Sequence, residues 1–314
     1  MVYNKAGEPI CYDRILGNFT DEQCVNAFLA YMAEKAALFG MTGTYYENPS
    51  GLTSSSYSTP RDEMKLGTVV ATNPRACEIW STPSRSFPIK GNNARTLTVT
   101  SNIIGGENAT YLNENGYKFL GGKGGSLIRD GYHKAAIYAV EIEEKTVLLG
   151  AMVTGQTAYN NAKYIYKEIC DMVKAQINGQ TPTAGTNLSA ALSAGGGFAT
   201  CIIPTNANLY QTQESPADLL SRTNSLSSAP TVSRIPASTT KAMTMLCALD
   251  FLKDPFETVT VKTVDISSGS GSTFYDGDVI NIMDALKIMM MESSNTLANT
   301  IARETGRKIL SYAV

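Results

Sequence analysis

Hydrophobic and polar positions along the chain mark out helices and strands that change character several times. Between residues 21 and 39, Val25, Phe28, Leu29, Met32 and Ala36 recur at helical spacing, with Gly40 placed to stop the helix. Ser58-Thr-Pro-Arg-Asp62 predicts a second helix start, because proline suits the first turn after a hydroxyl cap. Residues 80–120 read as short strands and loops. The runs AAIYAVEI and TVLLGAMV flank Glu143-Glu144-Lys145 and predict a hairpin. Helical spacing returns over residues 158–175, where Ala162, Ile165, Ile169, Met172 and Val173 make one apolar stripe.

The pattern then lapses. Residues 177–197 are rich in Gly, Ser, Thr and Ala, carry few large apolar side chains, and read as a linker. FATCII resumes strand character, and a polar stretch follows. KAMTMLCALDFL is apolar nearly all round, which predicts a central, buried helix. VINIMDALKIMMM predicts another helix and ANTIARETGRKIL the last one. The expected organisation is a segment 1–176, a linker 177–197 and a segment 198–314, together forming one α/β (α+β) unit.

With 314 residues, 43% of them hydrophobic and 17% charged, the chain can bury a sizeable core. Its net charge of −2 and lack of a basic cluster argue against nucleic acid as a partner. No apolar run reaches the length of a membrane span, and the first residues carry no hydrophobic signal segment. Six cysteines (Cys11, Cys24, Cys77, Cys170, Cys201 and Cys247) are scattered without a Cys-x-x-Cys pair, so neither a metal site nor a redox dithiol is expected.

The chemistry concentrates in Pro236-Ala-Ser-Thr-Thr-Lys241. Ser238 and Lys241 are three residues apart and share a face of a helix. A serine hydroxyl needs an adjacent base to become a nucleophile. The single histidine, His133, opens an apparent strand and reads more simply as a strand-end polar residue. Lysine is therefore the candidate base, provided that desolvation or neighbouring positive charge keeps it neutral. The bland alternative is a serine cap followed by a surface lysine.

PASTTK, the apolar helix after it and MMMESSNTLANTIA resemble the first half of serine-type D-Ala-D-Ala carboxypeptidases, the low-molecular-mass penicillin-binding proteins. Ser293-Ser294-Asn295 sits where that family has Ser-x-Asn. The family's last element, Lys-Thr-Gly, does not occur after Lys241. Instead, AYMAEKAALFGMTGTYYENPSGL, SSYSTPRDEMKL and GGKGGSLIRDG, upstream, resemble the second half, with Lys123-Gly124-Gly125 in the Lys-Thr-Gly position. The chain thus reads second half, linker, first half. Circular permutation explains this order, as does a piece of a tandem array; permutation is the preferred reading.

The resemblance implies a β-lactamase/transpeptidase-like fold: an antiparallel sheet flanked by helices, plus a mostly helical subdomain. It also implies a serine DD-carboxypeptidase acting on peptidoglycan stem peptides outside the cytoplasm, without cofactor or metal, and acylated by β-lactams. Ser238 would be the nucleophile, Lys241 its base, Ser293 a proton relay with Lys123, and Asn295 a holder of substrate or of Lys241. Gly124, Gly125 and Ser126 would bind substrate, and the backbone N–H groups of Ser238 and Ser126 would form the oxyanion hole. Gly124 departs from the family's threonine, which removes one hydroxyl; Ser126 is the candidate substitute. The family's carboxylate-anchoring arginine has no obvious counterpart, Arg129 included. A β-lactamase, an esterase or a non-catalytic penicillin-binding domain are the alternatives, although no convincing Glu-x-x-x-Asn loop favours the β-lactamase.

Overall fold

The computed structural model describes residues 2–3, 9–10, 19–129, 131–203, 226–252 and 254–312. Cys11 and most of the polar stretch before Pro236 lie outside these. Helix α1 (Asp21–Leu38) begins at a full capping box, in which Thr20 accepts from the Gln23 amide and Gln23 accepts from the Thr20 amide. Helix α2 (Pro60–Thr72) has Thr59 as cap and proline in its first turn. Then come α3 (Pro74–Trp80), the hairpin β1 (Ser84–Gly91) and β2 (Arg95–Thr100), and α4 (Glu107–Glu114). Helix α4 lies inside the region expected to be strands and loops. ENATYLNE has too few apolar residues to show a stripe, but it buries Ala109 and Leu112.

Strands β3 (Lys118–Leu127), β4 (His133–Ile142) and β5 (Lys145–Thr154) follow. The turn between β4 and β5 has positive φ at both Glu143 (48°) and Glu144 (60°), the backbone sense that matches strand twist in a two-residue hairpin. Helices α5 (Gln156–Asn160) and α6 (Ala162–Ile177) come next. The stretch read as a linker contains a further helix, α7 (Thr186–Ser193). Its small residues allow close packing: Leu188 and Ala191 are buried, and Glu168 of α6 accepts hydrogen bonds from the Asn187 and Leu188 amides at its first turn.

Strand β6 (Gly197–Ile203) and the short β7 (Ser227–Ser228) extend the sheet. A 3-10 turn (Ala237–Thr239) leads into α8 (Thr240–Asp250). Strands β8 (Thr258–Thr260) and β9 (Asp278–Asn281) precede α9 (Ile282–Glu292) and α10 (Asn295–Tyr312).

The architecture is mixed α+β, with antiparallel sheets flanked by helices. The larger sheet has the order β3-β4-β5-β6-β7 and the smaller β8-β9-β1-β2. Both sheets therefore pair strands from before and after the 177–197 stretch: β5 with β6 in one, β1 with β9 in the other. Alternation along β4 divides the core. Ile137 and Ala139 face α2 and the large helical cluster, whereas Ala136, Tyr138, Val140 and Ile142 face α4, α6 and α7. Helices α1 and α10 pack tightly at Gly306, where a Cβ would lie 1.8 Å from the Cys24 carbonyl oxygen.

Candidate active site

Strand β3 forms one edge of the larger sheet, and the 3-10 turn before α8 packs beside it. The approach needs a glycine. A Cβ at Gly125 would stand 2.5 Å from the Pro236 carbonyl oxygen and 2.9 Å from the Ser238 nitrogen. On the other side, the loop before α2 brings Gly51 so close that a Cβ there would meet the Ala237 carbonyl oxygen at 1.8 Å. Ala237 has φ +48°, and Ser293, which ends α9, has φ +66°. Non-glycine residues in this region carry strain of roughly 1–3 kcal/mol, and such positions concentrate at functional sites.

Lys241 is fully buried, and its Nζ has three polar neighbours. These are Ser238 Oγ at 3.0 Å, Asn295 Oδ1 at 2.8 Å and the Ser50 carbonyl oxygen at 2.6 Å. Burial pushes its pKa well below the ordinary ammonium range, and the nearby charge of Lys123 pushes the same way. A neutral amine fits this cage. Its two N–H bonds donate to Ser50 and Asn295, both acceptors, and its lone pair faces the Ser238 hydroxyl. The Asn295 amide nitrogen donates to the Ser268 carbonyl at 2.9 Å, which fixes Oδ1 toward the lysine.

Lys123 is also fully buried and donates to the Gly124 carbonyl at 2.7 Å and to Ser293 Oγ at 3.0 Å. Burial lowers its pKa to about 7. Two amines thus stand on opposite sides of one cleft of roughly 250 Å³, lined by Lys123, Gly124, Gly125, Ser126, Ser238 and Ser293 together with Asn102, Asn108, Lys134, Tyr138 and Ser270.

The structure therefore brings every site residue expected from the sequence to one place. Asn295 contacts Lys241. His133 and Arg129 are not among the residues that line the cleft. Sequence reasoning missed the Ser50 carbonyl, because a backbone acceptor in a turn leaves no side-chain signature. It also missed Asn108, Lys134 and Tyr138, which read as ordinary helix and strand positions. Among the described residues, no cluster of His, Cys, Asp and Glu is arranged to hold a metal ion, and no helix is long and apolar enough to cross a membrane. Comparisons with family models, curated proteins and solved structures find no match.

Proposed function

We propose that the chain is a serine DD-carboxypeptidase of the penicillin-binding type, with the β-lactamase/transpeptidase-like fold in circularly permuted order. It would act on peptidoglycan stem peptides outside the cytoplasm. The observation that carries this reading is the Lys241 amine, buried and 3.0 Å from the Ser238 hydroxyl. In support, the Lys123–Ser293 pair faces it across the same cleft.

The chemistry follows from this geometry. Ser238 Oγ attacks the carbonyl of the penultimate D-Ala while Lys241 takes its proton. Negative charge on the carbonyl oxygen is met by the amides of Ser238 and Ser126. The peptide C–N bond breaks, the leaving D-Ala amine takes a proton relayed by Ser293 and Lys123, and Ser238 is left as an ester. Water then hydrolyses the ester and restores the hydroxyl. A β-lactam opens on the same serine, but its leaving amine stays tethered, so the acyl-enzyme persists.

A second reading is a penicillin-binding domain without efficient turnover, favoured by glycine at position 124 on the cleft wall. The β-lactamase reading is weaker, since none of the described residues that line the cleft is Asp or Glu, the usual base for rapid deacylation. A fluorescent penicillin tests the site. Long-lived labelling lost in Ser238→Ala is the expected result, and no labelling of the parent sinks the assignment. Release of D-Ala from diacetyl-Lys-D-Ala-D-Ala separates the carboxypeptidase from the non-catalytic domain. Rapid hydrolysis of a chromogenic cephalosporin points instead to a β-lactamase.

A further inference from the structure

Beyond the nucleophile, one wall of the cleft presents more hydrogen-bond donors than the protein itself uses. The register of β3 and β4 places Ser126 opposite Lys134, Gly124 opposite Ala136 and Gly122 opposite Tyr138. These residues share one face of the sheet, and Lys123 and Gly125 take the other. Between Lys134 and Tyr138 the floor is a hydrogen and a methyl, from Gly124 and Ala136, so it lies low.

The Tyr138 ring packs against Phe119 and Tyr166, and its hydroxyl reaches back over Gly124, 3.3 Å from where a Cβ would stand. It accepts from the Asn108 amide at 2.9 Å. The phenol's own proton therefore remains to be donated, and no described residue accepts it. Lys134 lies with Nζ 4.6 Å from the centre of the Tyr159 ring. Its one carbonyl neighbour, Tyr159 O, is 3.5 Å away, long for a hydrogen bond. The nearby carboxylate, Glu107, is held by Lys163 at 2.5 Å. An ammonium, a phenol O–H and a serine hydroxyl thus surround a low floor on a wall with no carboxylate among its described residues.

We propose that Lys134 and Tyr138, with Asn108 orienting the phenol and Ser126 beside them, form a carboxylate-binding subsite over Gly124. It fixes the free C-terminal carboxylate of a short peptide while Ser238 attacks. The subsite rests on the reading of Ser238 as nucleophile. It makes Lys134 and Tyr138 specificity-determining residues that the opening motifs do not announce.

The test compares an acyl donor that ends in a free carboxylate with its C-terminal carboxamide. The parent acylates faster with the carboxylate. Lys134→Gln and Tyr138→Phe are each expected to slow the carboxylate donor by ~10–100-fold, the usual worth of a hydrogen bond to a charged group. The carboxamide should stay within ~3-fold, and Lys134→Arg should restore much of the preference. Equal loss on both donors, or no loss on either, overturns the subsite. A binding measurement works without chemistry. In Ser238→Ala, calorimetry should show diacetyl-Lys-D-Ala-D-Ala binding more tightly than its carboxamide, a preference erased by adding Lys134→Gln. A preference that survives Lys134→Gln rejects the subsite even where Ser238 proves to be no nucleophile. A parent that no donor acylates, yet which keeps a Lys134-dependent preference, rejects the nucleophile and retains the subsite.

Discussion

Glu63, in the first turn of α2, is fully buried, and both its carboxyl oxygens lack a hydrogen-bond partner. Two hydroxyls are near but committed elsewhere: Thr239 donates to the Pro236 carbonyl at 2.8 Å, and Ser58 is 2.9 Å from the Thr44 hydroxyl. Burial raises the pKa of Glu63 from 4.5 to about 7; Thr239 and Ser58 pull it down somewhat, and the Asp62 charge pushes it up. Below pH 4.5 the group is protonated in both folded and unfolded chains and has no effect on their balance. Between 4.5 and 7 the folded chain holds a proton that the unfolded chain has released, so stability falls as pH rises. Above 7 the loss is complete. At about 1.4 kcal/mol per pH unit, the gap amounts to about 3 kcal/mol. Glu63→Gln keeps the shape and removes the titration. Urea unfolding followed through Trp80, the single and buried tryptophan, measures the difference. The variant should gain on the parent by up to about 3 kcal/mol between pH 4.5 and 8. Stability curves that run parallel over that range would refute the reasoning, because every other titrating group cancels in the comparison.

Three further outcomes are expected. Lys123→Met removes a positive charge that depresses the Lys241 pKa, so the acid limb of the penicillin-acylation pH profile should move to higher pH; a shift to lower pH contradicts the coupling. Arg303 is fully buried and holds Asp265 through Nε at 2.9 Å and Nη2 at 2.7 Å; Arg303→Ala strands that carboxylate and should cost about 3–5 kcal/mol in denaturant unfolding. Gly306→Ala puts a methyl 1.8 Å from the Cys24 carbonyl oxygen, so α1 and α10 must separate, at a cost of roughly 1–3 kcal/mol in the same assay.

What the sequence made legible follows from where the physics is local. Helix α1 was readable because its stripe, cap and terminal glycine agree, and the β4–β5 hairpin because two apolar runs flank a polar turn. The motif residues could be placed because spacing alone puts Ser238 near Lys241. Helix α7 was obscured because small residues carry little hydrophobic signal, even though α6 supplies the surface that orders them. Glu63 looked like a solvated first-turn acid; only tertiary packing shows that α2 turns it inward. Lys134 and Tyr138 alternate like any strand positions. Their bearing on the cleft depends on glycine at 124 and alanine at 136, the absence of two side chains across a strand pair.

Lys123 and Ser293 lie 170 residues apart, yet their side chains meet at 3.0 Å. The exposed residues 178–181 lie between the segments that supply them. A cut there would leave Lys123 and the Gly124 wall on one fragment, and Ser238, Lys241, Ser293 and Asn295 on the other. Neither fragment would hold a whole site, and each would expose an unpaired edge where β5 meets β6. Acylation would then become second order in protein, rising with the product of two fragment concentrations. In the intact chain the connecting stretch is a tether that sets an effective concentration, on the order of millimolar for a short flexible link. Its length, as much as any residue in the cleft, would govern how often the site is assembled.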